Sequence, residues 1–257
     1  MAHYFRFWPV FMRNLLVWRK LVIPSLIANI AEPLMWLVAF GYGMGALIGD
    51  VTLDGAQVPY LLFLASGSIC MSAMNAATFE ALYSAFSRMH VQKTWDAILN
   101  APLTLDDVLL GELVWAASKS FLSGSAVLIV AAVLGLVPSP LALAVIPLIF
   151  LTGLAFAGLG LIMTALSPSY DFFMYYFTLC VTPMMLLCGV FFPLNELPAP
   201  AQLLAQALPL THAVALARPL VNGTVPPTWL LHIAVLATYA AGSAYLALAL
   251  TRRRLLQ

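Results

Sequence analysis

Four ionisable residues stand in or beside apolar runs of this chain: Glu32, Glu80, Glu112 and Lys119. Glu112 and Lys119 are seven residues apart, which on a helix places them on one face, about 10 Å apart along the axis. An ionisable group inside a membrane helix serves an ion or substrate pathway, or pairs with another charge and fixes helix register. Lys119 is placed to turn towards the near water layer or to pair with Glu32 or Glu80. Counted back from the outer end of each apolar run, all four lie near the cytoplasmic leaflet. Proton-coupled transport uses an acid near the midplane, and none of the four is there.

Enzyme signatures are missing from the sequence. There is no HExxH, no GxSxG and no pair of aspartates within an apolar run, and none of the three lysines follows a glycine as a phosphate-binding loop requires. Cys70, Cys180 and Cys188 lie in apolar runs, and the four histidines are scattered. That pattern fits buried thiols rather than a disulfide framework or a zinc site. The net charge of +1 argues neither for nor against nucleic acid, but eleven basic residues are few for a surface that tracks phosphates, so no nucleic-acid partner is expected.

The elements that must position the four charges are membrane helices. The chain is 63% hydrophobic and 8% charged, against about 25% charged in soluble domains. Six runs meet the length of about 20 residues that a bilayer core demands: about 22–48, 60–82, 108–137, 141–166, 172–192 and 228–250. An even count puts both termini on one side. That side then holds Arg6, Arg13, Arg19, Lys20, Arg88, Lys93 and Arg252 to Arg254, nine of the eleven basic residues, while Arg218 stands alone opposite. By the charge rule both termini are cytoplasmic. The N-terminus lacks the pattern of a secretory signal.

Several stretches between and within the spans stand out. Residues 3–21 alternate aromatic and basic groups, as in a helix lying in the headgroup layer or in an extension of the first span. In the loop after span two, Val91, Trp95, Ile98 and Leu99 recur at helical spacing among Arg88, Lys93, Asp96 and Asn100. Such an amphipathic helix packs on its own spans or fits a groove on a partner. In span two, Asn75 and Thr78 either face a polar passage or bond across helices. Tyr170, Phe172, Phe173, Tyr175, Tyr176 and Phe177 crowd the start of span five, as an interfacial belt or as a platform on which rings or lipid tails stack. Ser68, Ser72 and Ala76, and in span four Gly153, Ala157 and Gly160, form small-residue stripes for close helix contact. Residues 193–227 are apolar yet rich in proline, and cannot cross a bilayer as one helix.

Two passages, KTWDAILNAPLTLDDVLLGELVWAASKSFLSG at 93–124 and CGVFFPLNELPAPAQLLAQALPLTHAVALARPL at 188–220, resemble the permease subunits of type-2 ABC exporters. Within that family the likeness is greatest to permeases of nodulation-factor (lipo-oligosaccharide) exporters. The resemblance implies an all-α, six-span membrane domain that forms a homodimer and binds two copies of a cytosolic ABC ATPase. ATP and magnesium would reside on that partner and no cofactor on this chain. It implies that 87–100 is a coupling helix offering Arg88, Met89, Lys93, Trp95, Asp96, Ile98 and Leu99 to the ATPase. Gly111 and Glu112 become the family's GE pair. The N-terminal helix lies at the inner surface and helps contact the ATPase. Residues 193–227 become two short re-entrant helices, AQLLAQAL (201–208) and LTHAVALAR (210–218), plugging the outer mouth. At that gate Pro209 breaks the chain, Thr211 caps the second helix, His212 follows, and Arg218 at the helix end takes Glu196 as partner. Asn75, Thr78, Tyr175 and Tyr176 are the candidate path residues. The expected activity is outward movement of an amphipathic cargo, a lipo-oligosaccharide, lipid-linked saccharide, lipid or hydrophobic drug, across a bacterial inner membrane. The alternative is an intramembrane enzyme or assembly factor without transport.

Overall fold

In a computed structural model the described residues are 6–53 and 56–255, without the side chains at 26, 29, 32, 33, 53 and 56. Glu32 therefore enters only as a backbone position, and its side-chain pairing lies outside the described residues.

The chain is helical almost throughout. Helix α1 (Trp8–Arg19) carries Pro9 in its first turn, where the missing N–H costs no hydrogen bond. Helix α2 (22–48) runs through a wide π-type stretch, Leu37–Met44. Gly49, with φ +69°, then turns the chain into a hairpin of β1 (Asp50–Leu53) and β2 (Ala56–Pro59), in which Val51 faces Val58. Helix α3 (Tyr60–Val91) contains two further wide turns, Glu80–Ser84 and Ser87–Val91. Lys93, with φ +52°, breaks the chain before the single turn and a half of α4 (Thr94–Leu99).

Helix α5 (Leu105–Val133) starts at a reciprocal cap. The Asp107 amide donates to Thr104 Oγ1 at 3.3 Å, and the Thr104 amide donates to Asp107 Oδ2 at 2.8 Å. Helix α6 (Pro140–Leu166) follows a short turn, and α7 (Asp171–Leu187) has a wide turn at Phe177–Val181. Helices α8 (Ala199–Ala207) and α9 (Pro209–Asn222) are short, and α10 (Trp229–Leu255) closes the fold.

The core lies where α3, α5 and α6 meet. Helix α10 packs along α6, while α9 inserts against α3, α6 and α10. Phe63, Ile69, Met74, Ile149 and Phe156 are fully enclosed there. Two ends of the molecule are set by these contacts. At the basic end Arg252 pairs with Asp106, and Arg254 Nη1 donates to the Thr164 and Ala165 carbonyls at 3.0 and 2.8 Å. At the hairpin end the Tyr60 hydroxyl donates to the Phe191 carbonyl at 3.1 Å.

Four of the six expected spans are helices long and apolar enough to cross a bilayer: Tyr60–Val91, Leu105–Val133, Pro140–Leu166 and Trp229–Leu255. Two others are shorter apolar helices, Leu34–Ile48 and Asp171–Leu187. The second span expected at 60–82 runs nine residues further, and the fifth, expected to reach 192, stops at Leu187. Gly189, with φ +76°, ends helical geometry there.

Candidate functional site

Of the four charges expected to cluster, Glu80 and Glu112 meet around a cation the sequence did not assign to them. Arg88, on the last turn of α3, is 8% exposed. Its Nε donates to Glu112 Oε1 at 2.9 Å and its Nη2 donates to Glu80 Oε1 at 2.9 Å and to Glu112 Oε2. Indole groups complete the shell. Trp95 Nε1 donates to Glu112 Oε1 at 3.2 Å, and Trp115 Nε1 donates to Glu80 Oε1 at 2.8 Å. One buried guanidinium thus joins α3 to α5, and Glu112 joins both to α4. Bidentate arginine geometry makes this a strong charge-assisted arrangement.

Lys119 is not the cation of this node. Its Nζ donates to Ser25 Oγ at 2.9 Å and sits 4.9 Å from the centre of the Trp18 ring. The expected pairing of Lys119 with Glu80 is therefore corrected: Arg88 and Trp115 take up that carboxylate first. On a regular helix, eight residues put Arg88 about 80° round from Glu80. The two wide turns between them change that phase, a shift that residue counting misses.

The GE pair has a direct physical reading. Glu112 is the node's buried carboxylate. Gly111 admits α1, because a Cβ there would lie 2.6 Å from Val10 Cβ and 3.1 Å from the Phe7 carbonyl. Arg13 of α1 then reaches Thr94 Oγ1 at 3.3 Å. Burial, and next the positive charge of Arg88, lower the Arg13 pKa, and the group stays charged at neutral pH.

Segment 87–100 is not one continuous helix. Arg88 and Met89 belong to the end of α3 and are buried, and Trp95 of α4 is 1% exposed. These three face the protein's own core and are unavailable as partner anchors. Trp95 turns inward because its N–H finds Glu112 there. The exposed residues are Val91, Gln92, Lys93, Asp96, Ala97 and Asn100, with Ile98 and Leu99 half-buried. Lys93 Nζ approaches Asp96 Oδ2 at 3.9 Å across this surface.

A half-open cavity of about 510 Å³ lies between α2, α3 and α5. Asn75 lines it, together with Trp36, Phe79, Glu80, Tyr83 and Lys119. Of the other path candidates, Thr78 is fully buried, outside this lining, and its hydroxyl has no partner. Tyr176 is buried in the aromatic cluster, and Tyr175 points away at 65% exposure.

At the hairpin end the broken segment holds together through backbone carbonyls. Arg218 Nη2 donates to the carbonyls of Gly189 and Phe63 at 2.6 and 3.4 Å, its Nε donates to Ser66 Oγ at 3.2 Å, and its carbon centre stacks 3.6 Å from the Phe63 ring centre. Glu196, expected as its partner, is exposed on the turn Leu194–Glu196. Arg218 is also not the helix end, since α9 continues through Pro219 to Asn222 and stops at Gly223, φ +90°. Thr211 does not cap α9. Its hydroxyl donates to the Ala205 carbonyl at 2.6 Å, while Leu208, in extended conformation, occupies the cap position ahead of Pro209.

His212 joins α9 to its neighbours. Its Nε2 meets the Gln206 carbonyl at 2.9 Å and its Nδ1 meets His232 Nδ1 at 2.8 Å; His232 Nε2 meets Thr228 Oγ1 at 3.1 Å. A carbonyl only accepts, so His212 Nε2 carries a proton and donates it. His232 was not singled out from the sequence. Only its apolar setting in the last span, beside a histidine twenty residues earlier, hinted at it.

The fold is helical apart from the β1–β2 hairpin, with an N-terminal helix seated on Gly111 and two short helices before α10, and the chain matches the ABC-2 type transporter family over residues 6–221. The chain belongs to that family, whose members are permeases, membrane subunits of transporters. It is 45% identical over 256 residues to Nodulation protein J of Bradyrhizobium diazoefficiens, covering 100% of this chain and 96% of that protein. It is also 45% identical over 247 residues to Nodulation protein J of Rhizobium meliloti (96% and 93%), and 46% over 248 residues to that of Rhizobium leguminosarum bv. viciae (96% and 94%).

Proposed function

We propose that this permease is one half of an ATP-driven exporter. Two copies of the chain pair in a bacterial inner membrane with both termini cytoplasmic, and each receives one copy of a separate ABC ATPase that carries ATP and magnesium. The basic end is the cytoplasmic end and the hairpin end is the outer one. Residues 22–48 and Asp171–Leu187 complete six spans. The cargo is an amphipathic lipo-oligosaccharide, the class named by the resemblance, and it leaves outward.

The observation that carries this reading is the Arg88 node. A push on α4 reaches α3 and α5 through Glu112, Trp95 and Arg88 without passing through a flexible linker. Such a rigid, hydrogen-bonded link is what converts a movement of a docked ATPase into a movement of spans. The surface offered to the ATPase is the exposed face with Lys93 and Asp96, not Trp95. At the far end α8 and α9 are 9 and 14 residues long, about 14 and 21 Å. Both fall short of a core about 30 Å thick. Resting on α3, α6 and α10, they serve as a plug that closes the outer mouth between transport events.

The test is reconstitution. The chain, co-expressed with a candidate ABC ATPase from the same genome, is purified and placed in proteoliposomes with a fluorescent acylated oligosaccharide. Export predicts a stable complex and cargo movement that needs ATP. A chain that purifies alone and moves nothing is an assembly factor instead.

A further inference from the structure

The cavity between α2, α3 and α5 pairs aromatic rings with unengaged polar groups. Phe79 and Tyr83 stack with centres 5.6 Å apart and planes 22° from parallel. Phe177 lies 4.7 Å from Phe79, and Tyr170 lies 6.2 Å from Tyr83 with an interplanar angle of 9°. Together these rings make one plate, half of it exposed: Phe79 is 48% and Tyr83 36% exposed on a helix whose opposite face is sealed. The charged groups of the lining are already engaged, Glu80 by Arg88 and Trp115 and Lys119 by Ser25. Ser72 and Ser123 share a hydrogen bond of 2.7 Å. Asn75 and Ser84 also line the cavity, and neither makes a side-chain hydrogen bond among the described residues. The Asn75 amide, half-buried in the cavity wall, can both donate to and accept from a ligand there. Wide helical turns, which concentrate at functional sites, border the cavity at Glu80–Ser84 and Leu37–Met44.

A second cavity shows what a groove for an aliphatic chain looks like in the same fold. It measures about 420 Å³ between α6, α9 and α10, and every lining residue is apolar, among them Leu148, Leu216, Leu220, Trp229 and Ile233. The first cavity differs in kind. Rings flanked along one helix by an amide and hydroxyls suit a ligand with apolar C–H faces and hydroxyl edges. Lys119 in the lining opposes a cationic head, and the Glu80 carboxylate opposes an anionic one.

We propose that this cavity binds the uncharged, hydroxyl-bearing ring of the cargo head, with Phe79 and Tyr83 as stacking plates and Asn75 as the hydrogen-bonding group. The proposal rests on the export reading for the word cargo, and on the cavity alone for the chemistry. Its size falls within the range of small-ligand sites, about 300–1,000 Å³.

The experiment uses the full chain in lipid nanodiscs, with Cys70, Cys180 and Cys188 changed to Ser and Ala76→Cys placed in the cavity wall. The rate of reaction with a small methanethiosulfonate is measured with dodecyl maltoside or with dodecyl phosphocholine, below solubilising concentrations. The maltoside is expected to slow labelling at least threefold and the phosphocholine to leave it unchanged. Asn75→Ala and Tyr83→Leu should each abolish the protection, while Tyr83→Phe, which keeps the plate and the fold, should retain it. Equal slowing by both probes would mean that the chain, not the head, occupies the cavity, and would overturn the proposal, as would no slowing at all. Protection without any ATP-driven movement of cargo would remove the export reading and uphold the site. ATP-driven movement indifferent to Asn75→Ala and Tyr83→Leu would overturn the site and leave export standing.

Discussion

Arg88 and Arg218 are buried to nearly the same degree, 8% and 7% exposed, yet they are held in different ways. Arg88 is gripped by two carboxylates on two long helices, with indoles filling the remaining acceptor sites. Arg218 is gripped by the carbonyls of Gly189 and Phe63, a serine hydroxyl and a ring. The first arrangement fixes side chains to side chains and makes α3, α4 and α5 move as a unit. The second fixes a guanidinium to the main chain where α7 has unwound, beside Gly67, whose missing Cβ would lie 3.0 Å from Val190. On the proposed export reading, one end transmits and the other latches. Carboxylates resist separation because a lone buried charge is expensive, whereas neutral carbonyls release an arginine at lower cost. That asymmetry suits a permease whose basic end stays docked while its hairpin end opens.

The comparison is most directly broken at Arg88. Arg88→Ala leaves Glu80 and Glu112 without their cation and is expected to cost about 3–5 kcal/mol, read as a large fall in the thermal midpoint of the purified chain. Restoring neutrality with Glu80→Gln and Glu112→Gln in the same background should recover much of it. If Arg88→Ala unfolds no earlier than the native chain, the node does not hold α3 to α5.

Arg218→Ala should cost less, about 1–3 kcal/mol, for carbonyls left without a donor. Its effect should be local, with faster hydrogen exchange at 188–192 and unchanged exchange at 94–115. Arg218→Lys should not rescue it, because an ammonium lacks the fork that spans separate acceptors. Exchange that rises at both ends alike would erase the distinction between transmission and latch.

Gly111→Ala sharpens the first half of the comparison. A Cβ there would meet Val10 at 2.6 Å, and overpacking of that kind costs about 1–3 kcal/mol. Helix α1 should lift from α5, seen as increased protease cleavage near Arg13, with the Arg88 node intact. The smallest effect belongs to the exposed pair at the same end. Arg252→Ala, which removes the pairing with Asp106, should leave the melting midpoint within the scatter of the curve, because a solvent-screened surface pair contributes little.

Much of this was legible in the residues. Apolar run length yielded α3, α5, α6 and α10, and the prolines at 198 and 209 marked where α8 and α9 begin. The approach of Glu80 and Glu112 also followed from their depth in the spans. What the sequence hid depends on turns that change helical phase. The wide turns in α3 bring Arg88 onto Glu80 and Glu112 and leave Lys119 to Ser25 and Trp18. The resemblance implied Trp95 as an ATPase contact, while the helical spacing of Val91, Trp95, Ile98 and Leu99 left open whether that face packs on the chain's own spans. The break at Lys93, φ +52°, separates Val91 from that pattern, and the indole N–H turns inward to the Glu112 carboxylate seventeen residues on. Thr211 looked like a cap, yet α9 begins two residues before it and its hydroxyl serves Ala205 instead.

The central claim is that the Lys93–Asp96 face of α4 receives the ATPase while the node behind it carries the motion inward. Single cysteines at Asp96, Trp95 and Gln57, in a chain freed of its native cysteines, are cross-linked with a short bifunctional thiol reagent to the co-expressed ATPase. The account predicts a cross-link from position 96, at most a weak one from the buried position 95, and none from position 57 in the hairpin. A cross-link from position 57, or none from position 96 in a complex that still co-purifies, would contradict it.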